Sequence, residues 1–119
     1  MNDESLLSQS LQDNHVVDIT VEELQGWIEA KDVVLVDVRE EEEYSLEHIE
    51  ESSLHCLSSF EPSNVPLDDK KKLVFYCRSG RRSCLAGHHF VTSFPDKTVY
   101  NLIGGILAWK SLGNSTKKK

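Results

Sequence analysis

The run Leu73-Val74-Phe75-Tyr76-Cys77-Arg78-Ser79-Gly80-Arg81-Arg82-Ser83 decides how this 119-residue chain is read. Four consecutive apolar or β-favouring residues form a strand that delivers a cysteine at its end. In an open α/β sheet the binding residues sit in loops just past the carboxyl ends of strands, and Cys77 occupies that place. Gly80 lets the chain turn back with no side chain in the way. Successive backbone N–H groups then point inward and join those at the start of the following helix, which makes a cradle for a small anion. Arg78, Arg81 and Arg82 add positive potential. Both effects favour thiolate over thiol, taking the pKa from about 8.5 into the range of roughly 3.5 to 7.5. Cys77 is the candidate nucleophile, and Arg78, Ser79, Gly80, Arg81, Arg82 and Ser83 are the candidate anion-binding residues. A structural cysteine buried at a strand end has no need of three cations. The loop lacks the Gly-Lys-Ser/Thr ending of a nucleotide-phosphate loop, and it contains no Cys-x-x-Cys redox pair.

Downstream, a helix is expected from near Arg82 or Ser83 to about Ser93, ended by Pro95. Thr98 to Leu102 reads as a strand, Gly104-Gly105 as a tight turn, and Ile106 to Leu112 as a last helix that buries Leu107 or Ala108 and Trp109. Upstream, Val33-Val34-Leu35-Val36 is a continuous apolar run ending in Asp37, as in a strand covered on both faces of a parallel sheet. Thr20 with Glu23 signals a capping box for a helix to about Ala30, with Val21, Leu24, Trp27 and Ile28 on its apolar face. Val16 to Ile19 precedes it as a strand. Glu40 to Tyr44 reads as a short acidic helical turn, on which Arg39 and Glu43, four apart, are placed to pair. Ser53 to Leu57 reads as a strand, and Ser58 to Asp69, with Pro62, Asn64 and Pro66, as a loop with at most one helical turn. Strands alternating with helices imply one α/β domain, a mostly parallel five-stranded sheet with helices on both faces. The expected limits are a flexible leader over residues 1–15, the domain over 16–113 and a solvated basic tail over 114–119.

A net charge of −7 argues against nucleic acid or an anionic membrane as partner, because both would be repelled by most of the surface. No apolar stretch approaches the roughly 20 residues of a membrane helix, and residues 1–14 are polar where a signal peptide would be basic and then apolar. Three cysteines, Cys56, Cys77 and Cys84, are an odd count in a chain able to build its own core, which points to a reducing cytoplasm and not to a disulfide scaffold.

Taken together, the motifs resemble a single-domain rhodanese, a sulfurtransferase, over about residues 16 to 112. The resemblance rests on Asp37-Val38-Arg39 after the second strand, Glu43-Tyr44 with His48-Ile49 soon after, Cys77-x-x-Gly80-x-Arg82-Ser83 after the fourth, and Gly104-Gly105 with Trp109 near the end. It implies that Cys77 carries a persulfide between half-reactions, taking sulfur from thiosulfate or a persulfide or polysulfide and passing it to cyanide or a thiol. It implies no metal or organic cofactor. The sequence departs from the family pattern at Glu47, where glycine is usual, and at Glu51-Ser52, where Gly-Ala is usual. These residues shape a turn away from the cysteine loop.

Cysteine-based phosphatases and arsenate reductases share related folds and a Cys-(x)5-Arg loop. Here the sixth residue after Cys77 is Ser83, and Arg82 lies five after, so the cradle is one residue shorter and suits a single sulfur better than a tetrahedral oxyanion. A dedicated protein-to-protein persulfide relay would share every residue named. Cys84 and His88 share a helix face but lack the further ligands of a metal site. Cys84 reads by default as a small buried residue, with a resolving thiol as the alternative. His48 reads as a local hydrogen-bonding residue, and Trp27 and Trp109 as core.

Overall fold

The computed structural model describes residues 15–119, so most of the expected leader lies outside the described residues. Five strands, β1 (Val16–Ile19), β2 (Val33–Asp37), β3 (Ser53–Leu54), β4 (Lys72–Tyr76) and β5 (Val99–Leu102), form one sheet in the order β1-β5-β4-β2-β3. Every pairing is parallel. Four helices connect them: α1 (Val21–Glu29), α2 (Glu41–Leu46), α3 (Arg81–Ser93) and α4 (Gly105–Ser111).

Pleating sorts the strand side chains onto two faces. Leu35, Val74 and Tyr76 pack with Leu24 of α1 and with Ile106 and Trp109 of α4. Val36, Phe75 and Cys77 pack with Ala86, Phe90 and Val91 of α3. Residues 83, 86, 87, 90 and 91 are the buried ones of α3, a helical stripe laid along the sheet. Trp27 is half-buried against the first core, edge-on to Tyr100. The capping box at Thr20 is present, with Glu23 N–H donating to the Thr20 hydroxyl at 3.2 Å and Glu23 accepting from Thr20 N–H at 2.9 Å.

Several elements differ from the sequence reading. Strand β3 is two residues long, because only Ser53 and Leu54 reach β2, at Val36 and Asp37. The segment after it makes two 3₁₀ turns, Leu57–Ser59 and Pro62–Asn64, where at most one was expected. In α4 the buried residues are Gly105, Ile106 and Trp109, while Leu107 faces outward. Cys84 is half-buried, since the core-facing stripe passes through its neighbour Ser83. The basic tail is exposed but tied down: Lys117 and His48 exchange backbone hydrogen bonds at 2.8 Å, and Lys119 pairs with Glu41 at 2.6 Å.

Candidate active site

Strand β4 is central in the sheet, and its end carries Cys77 into the loop before α3. The residue is 1% exposed. Gly80 adopts φ +100°, a left-handed conformation that costs glycine nothing, and its N–H turns back to the Cys77 sulfur at 3.1 Å. The Ser83 N–H lies 3.4 Å from the same sulfur, and the Ser83 hydroxyl lies at 3.4 Å as well. Burial raises the proton affinity of the thiol and is the largest single influence on it. The Ser83 hydroxyl and the N–H groups of Ser83, Gly80 and Ser79 together outweigh burial and hold the thiol below its usual range. Hydrogen-bond donors aimed at one buried sulfur make a site for negative charge.

The loop is held from outside by α4. Ile106 N–H donates to the Cys77 carbonyl at 2.9 Å, and Leu107 N–H to that of Arg78 at 3.2 Å. A β-carbon on Gly105 would stand 2.4 Å from both carbonyl oxygens, so the close approach of α4 to the loop requires glycine there. Gly105 takes φ +58°.

The three loop arginines divide. Arg78 and Arg81 are exposed and make no side-chain hydrogen bond or ion pair among the described residues, which leaves both available to an incoming anion. Arg82 is engaged by Glu43 of α2 through two parallel bonds, Nη1–Oε1 at 2.8 Å and Nη2–Oε2 at 2.9 Å. That pair corrects the expectation that Glu43 meets Arg39. Arg39 lies two residues ahead of α2, off its face, and is 4% exposed. Its guanidinium bonds Asp37 through Nε at 3.1 Å and Nη2 at 2.7 Å, and donates to the Glu47 carbonyl at 2.6 Å. His48 stays local, with Nδ1 2.9 Å from the Tyr44 carbonyl and its ring stacked on that of Tyr44.

Asn101 is the site residue that sequence reasoning took only as part of a strand. It is 5% exposed and accepts the Ser83 hydroxyl through Oδ1 at 2.5 Å. A polar amide inside an otherwise apolar or aromatic strand, Val99-Tyr100-Asn101-Leu102, was the available signal, because buried polar side chains seek partners.

The Rhodanese-like domain family model matches residues 20–112. An uncharacterized protein of Synechocystis is 38% identical over 112 residues, 94% of this chain, and the match spans 61% of that longer protein. The thiosulfate sulfurtransferase GlpE of Coxiella burnetii is 30% identical over 93 residues, 76% of this chain and 86% of that protein. Among solved structures, the rhodanese-related protein of Thermoplasma volcanium superposes with a TM-score of 0.74 at 26% identity, over 87% of this chain and 99% of that one. The all-parallel five-stranded sheet, the donor-lined cysteine loop after β4 and these matches agree, and the chain belongs to the rhodanese-like domain family, with sulfurtransferases among its relatives.

Proposed function

We propose that the protein is a sulfurtransferase that moves a sulfane sulfur through a persulfide on Cys77. The observation that carries this reading is the buried Cys77 sulfur facing N–H donors of its own loop, Gly80 at 3.1 Å and Ser83 at 3.4 Å. In the first half-reaction the thiolate attacks the outer sulfur of thiosulfate, or the terminal sulfur of a persulfide or polysulfide. The old S–S bond breaks, sulfite or a thiolate leaves with its electron pair, and Cys77–S–S⁻ remains. In the second, cyanide or a thiolate attacks the terminal sulfur and Cys77 departs as thiolate. The loop N–H groups stabilise the anionic sulfur in both states, as an oxyanion hole stabilises an oxygen. Arg78 and Arg81 draw the anionic donor onto an otherwise acidic protein. Arg82, held by Glu43, supplies positive potential at the first turn of α3. Neither half-reaction calls for a metal or an organic cofactor. The charge of the chain disfavours nucleic acid and anionic membrane as partners, and the odd count of three cysteines supports a reading of a reducing cytoplasm as its compartment. Among the described residues no helix is long and apolar enough to cross a membrane.

Mass spectrometry after treatment with thiosulfate tests the mechanism. The wild type gains one sulfur, about 32 Da, on the Cys77 peptide, and Cys77→Ser gains none. No gain in the wild type with either thiosulfate or a polysulfide rejects the persulfide. Turnover of an aryl phosphate in its place would favour the phosphatase chemistry.

A second reading, transfer to a protein and not to a free small molecule, is favoured by the rim of the site. Leu46, Leu107 and Arg78 line one cleft of about 180 Å³ beside the loop, and Leu46 is 72% exposed. A protein that docks there covers apolar surface that a small anion leaves wet.

A further inference from the structure

The Ser83 hydroxyl has two claimants and one proton. It is within hydrogen-bond reach of the Cys77 sulfur at 3.4 Å and of Asn101 Oδ1 at 2.5 Å. Chemistry fixes which way the Asn101 amide faces. Its other end meets Asp18 Oδ1 at 3.1 Å and the Gly80 carbonyl at 3.2 Å, both of which only accept, so the NH₂ group stands on that side and the oxygen faces Ser83. An amide oxygen only accepts, so the hydroxyl is the donor. While its proton rests on Asn101, Ser83 turns lone pairs toward the sulfur, which suits a thiol S–H and not a thiolate. To serve the thiolate, the hydroxyl must rotate and leave Asn101.

We propose that Asn101 is a positioning residue: by competing with the Cys77 sulfur for the single proton of Ser83, it holds the proton affinity of the thiol above the level that the loop alone would set. The inference rests on the reading of Cys77 as the working nucleophile and adds what tunes it. A thiolate made too stable is a poor nucleophile, and attack is fastest when the pKa of the thiol lies near the ambient pH. Asn101 supplies the counterweight to a cradle of N–H donors. It is well anchored for this task, being pinned from β1 by Asp18 and from the loop by Gly80, and it is buried with Ser83. The charged groups around the sulfur are Arg78, Arg81 and Arg82 from the loop and α3, Asp37 and Arg39 from β2 and its end, Glu43 from α2 and Asp18 from β1. The one charged side chain of α4, Lys110, is paired with Glu47. None of them bonds the Ser83 hydroxyl, which leaves Asn101 as its competing acceptor among the described residues.

The test is the rate at which Cys77 is alkylated by iodoacetamide across pH, followed on its own peptide by mass spectrometry so that Cys56 and Cys84 do not contribute. Asn101→Leu keeps the shape and removes the acceptor. The midpoint of its rate–pH profile lies about 0.5 to 1 pH unit below that of wild type, the shift expected from freeing one neutral hydrogen bond to the thiolate. In the Ser83→Ala background the same substitution changes nothing. An unchanged or higher midpoint in Asn101→Leu, or a lowering that persists without Ser83, overturns the proposal. If Asn101→Leu fails to fold, the wild type decides: the Asn101 side-chain NH₂ signals in a ¹H–¹⁵N spectrum follow the titration of Cys77, and that dependence is lost in Ser83→Ala. Signals that ignore the thiol titration overturn it. A wild-type Cys77 that ionises only near pH 8.5 would count against the nucleophile reading itself, a result separate from the difference between variants.

Discussion

Glu51 is a single residue in an expensive conformation. Its φ is +69°, the left-handed region in which L side chains lose about 1 to 2 kcal/mol, and it stands where the sequence resemblance predicts glycine. Its side chain is exposed, so replacement sacrifices no packing. Glu51→Gly relieves the backbone strain and gives back part of the gain through the greater freedom of glycine in the unfolded chain. The expected net is a stabilisation of about 0.5 to 1 kcal/mol and a thermal midpoint about 2 to 6 °C higher, read by calorimetry. A lower midpoint would show that Glu51 holds the turn in some other way. Its neighbour Ser52 belongs to the core instead: the hydroxyl donates to the Ile49 carbonyl at 2.7 Å and meets the Tyr76 hydroxyl at 3.0 Å. The sequence marked the departure at Glu51-Ser52 but not its form, since sign of φ and burial are both set by neighbours distant in the chain.

Between elements, the decisive contact is the fork from Arg82 on α3 to Glu43 on α2. The Arg82 guanidinium beside Glu43 holds its carboxyl down at about 2, against an ordinary value of 4.5. A depressed carboxyl stabilises the fold fully above its unfolded pKa and loses that contribution as pH falls through the folded one. The window is therefore from about pH 4.5 down to about 2. Both side chains are about a third exposed, so after solvent screening the contribution is about 1 kcal/mol. Glu43→Gln is less stable than wild type by that amount at pH 7, and the gap narrows as pH falls through this window, measured by urea unfolding. A gap that does not change with pH would assign the loss to packing. Sequence spacing paired Glu43 with Arg39 because the i,i+4 rule needs both residues on one helix, and α2 begins only at Glu41. Arg82 is 39 residues away, beyond any local rule. Local patterns did serve where the partners are local: the Thr20 capping box, the apolar run into Asp37 and the glycine turn after Cys77. Asn101 brings together β1, β5 and the loop, and no periodicity encodes that meeting.

At the scale of the molecule, three outward-turned aliphatic side chains, Leu46, Ile103 and Leu107, lie at the end of the sheet that holds Cys77. Leu107 is 41% exposed and Ile103, just before the Gly104-Gly105 turn, is 51% exposed, while Leu46 shares a cleft with Arg78. If that rim serves a protein acceptor, Leu46→Ser with Leu107→Ser slows sulfur transfer to a protein thiol severalfold and leaves transfer from thiosulfate to cyanide unchanged. Equal losses in both assays would make the rim part of the loop's own support. The seating of the loop on α4 has a further consequence. In a trans peptide the C=O and N–H point opposite ways. With the carbonyls of Cys77 and Arg78 drawn outward to Ile106 and Leu107, the N–H groups of Arg78 and Ser79 are turned inward by the same rotation. The polarity of the cavity is thus written in the orientation of peptide planes, set by a helix that contributes no side chain to the sulfur. Charge on the arginines is open to salt screening, whereas these fixed dipoles are shielded by burial, so the affinity of the cavity for an anionic sulfur persists at ionic strengths that weaken the encounter.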